Sequence, residues 1–176
     1  DMMTIAKGLT SGYIPMGGLI VRDEVVDVLN EGGDFNHGFT YSGHPVAAAV
    51  ALENIRILRD EKIIEHVREE TAPYLQKRLR ELNDHPLVGE VRGVGLLGAI
   101  ELVKDKSTRE RYTGKGVGMI CRQFCFDNGL IMRAVGDTMI IAPPLVISFA
   151  EIDELVTKAR TCLDLTLRSE ERRVGK

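Results

Sequence analysis

The sequence lacks several features that would place it in a specialised class of protein. It has no tryptophan, three cysteines among 176 residues and an aromatic content of 5%. Three cysteines cannot close a disulfide framework, so we expect a protein of the reducing cytoplasm. No apolar run approaches the roughly 20 residues of a membrane helix. At a net charge of −3, no basic stripe indicates nucleic-acid binding. Membrane and nucleic-acid partners are therefore not expected.

What the sequence does contain is a patterned apolar content of 44%, enough for a packed core. Leu19–Val21 is predicted to be a buried strand, and helical periodicity from Pro45 to Asn83 predicts one long kinked helix or two, with Pro73 as the kink. The later segments predicted to be strands are 88–94, 96–103, 130–133 and 138–142, with a helix from Val117 and another opened by a capping box of Ser148 and Glu151.

These patterns predict a division into domains. Residues 1–44 are the end of one domain, 45–84 are linking helices, and 85–167 form a small α+β domain. The chain starts inside an apolar element without an initiator Met, so we expect a fragment. Residues 168–176 (RSEERRVGK) abandon the apolar period and resemble a translated sequencing adapter. They are predicted to be a non-native tail, and a solvated charged terminus is the alternative.

Two motifs that could indicate other functions lack the surrounding residues that those functions require. Gly93-x-Gly95-x-x-Gly98 matches the dinucleotide-binding fingerprint, but the strand-like run Ala99–Val103 follows where that fold requires a helix. We therefore interpret the glycines as relieving a bend in a strand. Cys121, Cys125 and Cys162 lie on apolar stripes without a nearby histidine, so they are expected to be core thiols, and no metal site is predicted.

Lys7 is the candidate for covalent chemistry. It follows the apolar, strand-like segment Met3–Ile5 and precedes Gly8, which allows close approach of the backbone. A lysine amine removed from water in such a place is suited to imine formation with a carbonyl compound. The residues alone leave an ordinary surface lysine as the alternative.

Four ordered motifs resemble those of the class III (ω-type) aminotransferases. They are 4–18 (TIAKGLTSGYIPMGG), 38–48 (GFTYSGHPVAA), 92–102 (RGVGLLGAIEL) and 136–145 (GDTMIIAPPL). The second is most similar to the amine–pyruvate branch, which includes putrescine, β-alanine and taurine transaminases. The resemblance implies an α/β chain, a C-terminal fragment of a fold-type-I transferase that depends on pyridoxal 5'-phosphate.

The resemblance also implies roles for particular residues. Lys7 would form an imine with the cofactor and then move the proton between the substrate and the cofactor. Thr40 would bind the cofactor phosphate from the partner subunit of a homodimer or tetramer, with the backbone N–H of Phe39 as a second contact. Arg133 would bind the carboxylate of the substrate.

The predicted reaction is transfer of an amino group from a primary amine or ω-amino acid donor to pyruvate, a 2-oxo acid acceptor. Alternatives are a 4-aminobutyrate/2-oxoglutarate aminotransferase or an aminomutase of the same family, and a catalytically silent homologue that only dimerises. In the family, the remaining cofactor contacts precede the lysine segment. The 176-residue chain alone is therefore expected to be inactive.

Overall fold

The computed structural model describes residues 1–112 and 116–174 and divides the chain into two compact units, 1–62 and 63–176. None of the helices within the described residues is both long enough and apolar enough to cross a bilayer. The boundaries predicted for the domains, 44/45 and 84/85, remain a prediction about the longer protein.

The first unit is built on a two-stranded antiparallel sheet. Strand β1 (Met2–Ala6) pairs with β2 (Gly17–Val21), and a 3₁₀ turn (Lys7–Thr10) follows β1 directly. Helix α1 (Asp23–Glu31) follows β2, and a loop leads to helix α2 (Pro45–Asp60). The second strand is present as predicted, but the expectation of burial is wrong. Leu19 is 56% exposed, because two strands alone leave their faces open within residues 1–62.

The second unit is a layer of helices packed on a four-stranded sheet. Its helices and turns are α3 (Ile63–His66), a π-helical turn (Val67–Thr71), α4 (Ala72–Arg80), a 3₁₀ turn (Glu81–Asp84), α5 (Val117–Asp127) and α6 (Phe149–Val174). Its strands are β3 (Val88–Val94), β4 (Leu97–Leu102), β5 (Arg133–Val135) and β6 (Thr138–Ile141), all antiparallel in the order β3-β4-β6-β5.

The core of the second unit follows from the alternation of side chains along its strands. Ile100 and Leu102 on β4 and Met139 and Ile141 on β6 are buried, while the residue between each pair, Glu101 or Ile140, is more exposed. Helices α4, α5 and α6 supply the other side chains of this core. The predicted α+β character of this region is therefore present in the structure.

The helical stretch from Pro45 consists of separate helices. Helix α2 ends at Asp60, and Lys62 adopts a left-handed conformation with φ of +52°. Near Pro73 the chain forms the π-helical turn, in which Ala72 N donates to Val67 O. Proline has no N–H, and its ring crowds the carbonyl four residues earlier. The widened π-helical turn just before Pro73 relieves this crowding.

The glycine motif forms a hairpin, as the strand interpretation predicted. Gly93 on β3 lies opposite Gly98 on β4, and Gly95 makes the turn with φ of +59°. A Cβ on Gly93 would lie 2.3 Å from Leu97 O, so glycine is required where the two strands approach closely.

Three local predictions have different outcomes. The capping box is confirmed, because Ser148 N and Oγ donate to Glu151 Oε2 at 2.8 and 2.7 Å. The strand predicted at 130–133 lies further along the chain, because β5 covers Arg133–Val135. Leu130 and Met132 are nevertheless buried. Helix α6 continues through Val174, so the break in the apolar pattern at residue 168 is not the end of the helix.

A buried histidine makes the stability of the second unit depend on pH. His85 is 3% exposed, and its Nδ1 accepts a hydrogen bond from Leu87 N at 3.1 Å while Nε2 lies 3.2 Å from Asp164 Oδ1. The Nδ1 contact requires an unprotonated nitrogen, and burial lowers the pKa of His85 below its ordinary value of 6.5, against the raising effect of Asp164. The neutral ring is therefore the native form.

We expect acid to destabilise the second unit through His85. As the pH falls below 6.5, the unfolded chain takes up a proton that the folded chain resists, until the lower folded pKa is reached. The free energy of unfolding should fall by at most about 1.4 kcal/mol per pH unit in that window. Urea denaturation between pH 7.5 and 5 measures this slope. His85→Asn should reduce it and the exposed-site control His66→Gln should not; an unchanged slope in His85→Asn would contradict the prediction.

Candidate active site

The predicted catalytic lysine lies at a strained position directly after β1. Lys7 opens the 3₁₀ turn with φ of +52°, a left-handed conformation that non-glycine residues adopt at a cost. With Thr10, Pro15 and Gly17 it lines an open depression of about 610 Å³. Unusual backbone at a candidate reactive residue is typical of functional sites.

The expectation that Lys7 is desolvated is wrong for this chain. Lys7 is exposed, because β1 and β2 form a sheet that no third layer covers within residues 1–62. In the part of the chain that the structure describes, its amine makes no hydrogen bond or ion pair. No carboxylate therefore holds this amine, and in its deprotonated form it can condense with a carbonyl carbon.

Two side chains hold the segment that follows Lys7. The hydroxyl of Thr10, which is 1% exposed, donates to Ile14 O at 2.6 Å. From helix α2, Asn54 Nδ2 donates to Gly8 O at 2.9 Å and to Leu9 O at 3.1 Å. Neither residue was predicted from the sequence. For Asn54, a signal was available in its position three residues after Ala51 on the buried face of α2.

The loop predicted to bind phosphate is exposed and internally bonded. Phe39 is 76% exposed and Thr40 is exposed as well. Phe39 begins, and Thr40 lies within, a turn in which Ser42 N donates to Phe39 O at 2.9 Å. The N–H of Phe39 donates to Ser42 Oγ at 3.1 Å, so a phosphate oxygen would have to replace that hydroxyl. The phosphate roles of Phe39 and Thr40 remain predictions.

Arg133 belongs to the second unit, whereas Lys7, Phe39 and Thr40 belong to the first. It begins the edge strand β5 opposite Ile140, and its side chain is exposed. Within residues 1–112 and 116–174, its guanidinium has no carboxylate partner. A free, planar cation at a strand end is suited to bind a carboxylate through two parallel hydrogen bonds.

The residues of the first unit fit a cofactor that carries an aldehyde and a phosphate. The unpaired amine of Lys7 can condense with the aldehyde, and the hydroxyl of Thr40 can donate to a phosphate oxygen. The depression beside Lys7 has the volume of an ordinary small-molecule site. Among the described residues, no group of three or more histidine, cysteine or acidic side chains is arranged to hold a metal ion.

Comparison with known proteins gives the family. The family model described as "Aminotransferase class-III" matches residues 1–163. The chain is 77% identical over 166 residues to putrescine–pyruvate aminotransferase of Pseudomonas aeruginosa, covering 94% of this chain and 36% of that protein. It is 43% identical over 161 residues to gamma aminobutyrate transaminase 1, mitochondrial, of Solanum lycopersicum, covering 89% and 31%.

Solved structures agree with these relatives. A thermostable (S)-enantioselective omega-transaminase from Thermomicrobium roseum superposes with a TM-score of 0.90 at 43% identity, covering 95% of this chain and 38% of that one. A thermostable omega transaminase mutant from Pseudomonas jessenii gives 0.87 at 37% identity, covering 94% and 38%. The chain thus spans about a third of the length of the relatives it matches.

The predicted resemblance and the predicted fold class are confirmed by these matches, and pyridoxal 5'-phosphate is the cofactor of the family. The chain belongs to the class III aminotransferases.

Proposed function

We propose that this chain is part of an aminotransferase that uses pyridoxal 5'-phosphate to move an amino group from a primary amine or ω-amino acid to pyruvate. The observation that carries the proposal is the unpaired amine of Lys7, set in the strained turn after β1 within a class III sequence. The 77% identity to a putrescine–pyruvate aminotransferase supports the choice of donor and acceptor.

Lys7 has two tasks in this proposal. When bound, the cofactor supplies an aldehyde that accepts amines and a ring that withdraws electrons from the substrate. Lys7 Nζ would hold the cofactor through its aldehyde carbon between turnovers. Once free, the same nitrogen would take the proton from the substrate Cα and deliver it to that aldehyde carbon. A flexible primary amine serves both tasks because it is a nucleophile and a base.

The loop and the second subunit complete the site. We assign Thr40 Oγ1 and the N–H of Phe39 to the cofactor phosphate, which they can bind without adding charge. This contact comes from the partner subunit, so the active form is a homodimer or tetramer. We also assign the protein to the cytoplasm, because its three cysteines are unpaired.

The proposal is tested by identifying the lysine to which the cofactor becomes covalently attached. The holoenzyme that contains this chain is incubated with pyridoxal 5'-phosphate, reduced with borohydride and digested, and the modified peptide is identified by mass. We expect the label on Lys7, and formation of alanine from putrescine and pyruvate. Label confined to other lysines would overturn the proposal, and label without turnover of either putrescine with pyruvate or 4-aminobutyrate with 2-oxoglutarate would indicate the silent homologue.

A second candidate acceptor is 2-oxoglutarate, because the relatives near 40% identity are named gamma-aminobutyrate transaminases. Turnover of 4-aminobutyrate with 2-oxoglutarate in preference to pyruvate would select this candidate.

Arg133 should determine the affinity for the acceptor. Replacing Arg133 with alanine removes a charge-assisted contact to the carboxylate, and we expect the KM for pyruvate to rise about 10- to 100-fold. The KM for an amine donor that lacks a carboxylate should stay within about twofold, since that contact is absent. Steady-state kinetics with each substrate varied measure both values.

The matched control is Arg111→Ala, which removes an exposed arginine paired with Glu101 on the same unit. It should leave both constants unchanged. An equal rise in both KM values for Arg133→Ala would indicate a structural role instead.

A further inference from the structure

The segment that carries Lys7 is fastened to helix α2 by one side chain. Asn54 Nδ2 reaches Gly8 O at 2.9 Å and Leu9 O at 3.1 Å, across 46 and 45 positions of sequence. These carbonyls belong to the two residues directly after Lys7. The contact therefore connects the candidate reactive residue to a long helix rather than to its own loop.

Helix α2 brings Asn54 to this place through its small residues. Ala47 and Ala51 are each 5% exposed and lie on the same face as Asn54, seven and three residues before it. Small side chains on that face let the helix approach the turn closely enough for a short amide side chain to bridge. The half-buried position of Asn54 reduces competition from water.

The contact requires a side chain that offers at least two donor hydrogens. Both partners are carbonyl oxygens, so the group between them must offer two N–H donors, and only the NH₂ end of the side chain can do so. Carbonyls at the end of a helical turn are often left without a partner inside the turn. Gly8 O also accepts from Ser11 N at 3.2 Å, so Asn54 completes the hydrogen bonding of the turn.

The turn needs this support because its backbone is strained at both ends. Lys7 and Ser11 each have φ of +52°, which L-residues keep only when the surroundings hold them there. On one side the pairing of Ala6 with Gly17 fixes the chain, and on the other side Asn54 does. Loss of either would let the turn relax towards ordinary conformations.

We propose that Asn54 is a positioning residue for Lys7: its amide fixes the left-handed turn and so sets where the lysine amine stands for attack and proton transfer. This inference rests on the proposed function. A shift of about 1 Å in a reacting group can lower a rate by two orders of magnitude.

The test uses Asn54→Ala, which removes both hydrogen bonds and leaves a strong helix former in α2. Hydrogen exchange at Ser11 and Tyr13, whose amides close the turn, should become about tenfold faster. In the holoenzyme, the rate of borohydride-trappable attachment at Lys7 and kcat should fall about 10- to 100-fold, with the KM for pyruvate within about twofold. Asn54→Gln, which keeps the two donor hydrogens, should recover part of the attachment rate and part of kcat.

The matched control is Asn128→Ala, which removes an equivalent amide-to-carbonyl bond, Asn128 Nδ2 to Phe124 O at 2.8 Å, in the second unit. It should leave exchange at Ser11 and attachment at Lys7 unchanged. Asn54→Asp, with the same shape and no donor, is the second variant if the alanine variant does not fold.

The outcomes separate the two proposals. Faster exchange with unchanged attachment and kcat overturns the positioning role while the proposed function stands, and so does unchanged exchange in Asn54→Ala. If neither variant folds, Asn54 serves the fold alone and the positioning role is overturned. If the unsubstituted holoenzyme shows no label at Lys7, the proposed function fails instead.

Discussion

Replacing Lys7 with alanine is expected to lower kcat for amino transfer by about 10²- to 10⁴-fold, the range that positioned acid–base groups supply. The variant should also lose the borohydride-trapped label, because no amine is left at this position to hold the cofactor. Stopped-flow measurement of half-reactions with putrescine and with pyruvate shows whether both directions slow together. Both should, since the same nitrogen moves the proton in each direction.

The structure provides a matched control for this variant. Lys62 is also a lysine of residues 1–62 with φ of +52°, so Lys62→Ala imposes the same backbone change without removing the candidate amine. Lys62→Ala should keep kcat within about twofold. A small primary amine added to the Lys7→Ala enzyme should recover part of the rate. Turnover of Lys7→Ala within about tenfold of the unsubstituted enzyme would refute the assignment.

The largest effect on stability is expected at the contact between α4 and β4. Leu79 is fully buried, and a Cβ on Gly98 would lie 2.5 Å from Leu79 Cδ1. Leu79→Ala should lower the free energy of unfolding by about 2–5 kcal/mol through the lost contacts and the cavity. Gly98→Ala should cost about 1–3 kcal/mol, because a buried leucine has no room to move aside.

The two substitutions should compensate in part when combined. The space left by Leu79→Ala receives the methyl group of Gly98→Ala, so the double variant should be more stable than the sum predicts by about 0.5–3 kcal/mol. Urea denaturation followed by far-ultraviolet circular dichroism measures the cycle. Leu97→Ala, at a leucine that is 57% exposed on the same strand, is the control and should have little effect. Strict additivity would show that the two side chains do not compete for space.

Features that depend on neighbours in sequence were predictable. The capping box of Ser148 and Glu151 joins residues three positions apart, and the apolar stripe of α5 repeats every turn. The strand after Gly98 could likewise be predicted from its composition, which excluded nucleotide binding at the hairpin. In these cases the local pattern contains the whole interaction.

Features that depend on residues distant in sequence were not predictable. The exposure of Lys7 follows from what covers the sheet, which no local pattern encodes. The partner of His85 is 79 positions away, and a lone histidine in a turn gives no sign of it. For Asn54, the helix face was visible in the sequence, but the carbonyls of Gly8 and Leu9 were not. Which distant residues become hydrogen-bond partners depends on tertiary packing.

The three cysteines of the chain can report on the opening of the second unit. All three lie in the core of the second unit, at 0–2% exposure, and residues 1–62 contain none. Burial raises the pKa of the Cys162 thiol, which further slows its alkylation in the native state. Pulse alkylation followed by mass spectrometry therefore counts openings of the second unit alone, without any added dye.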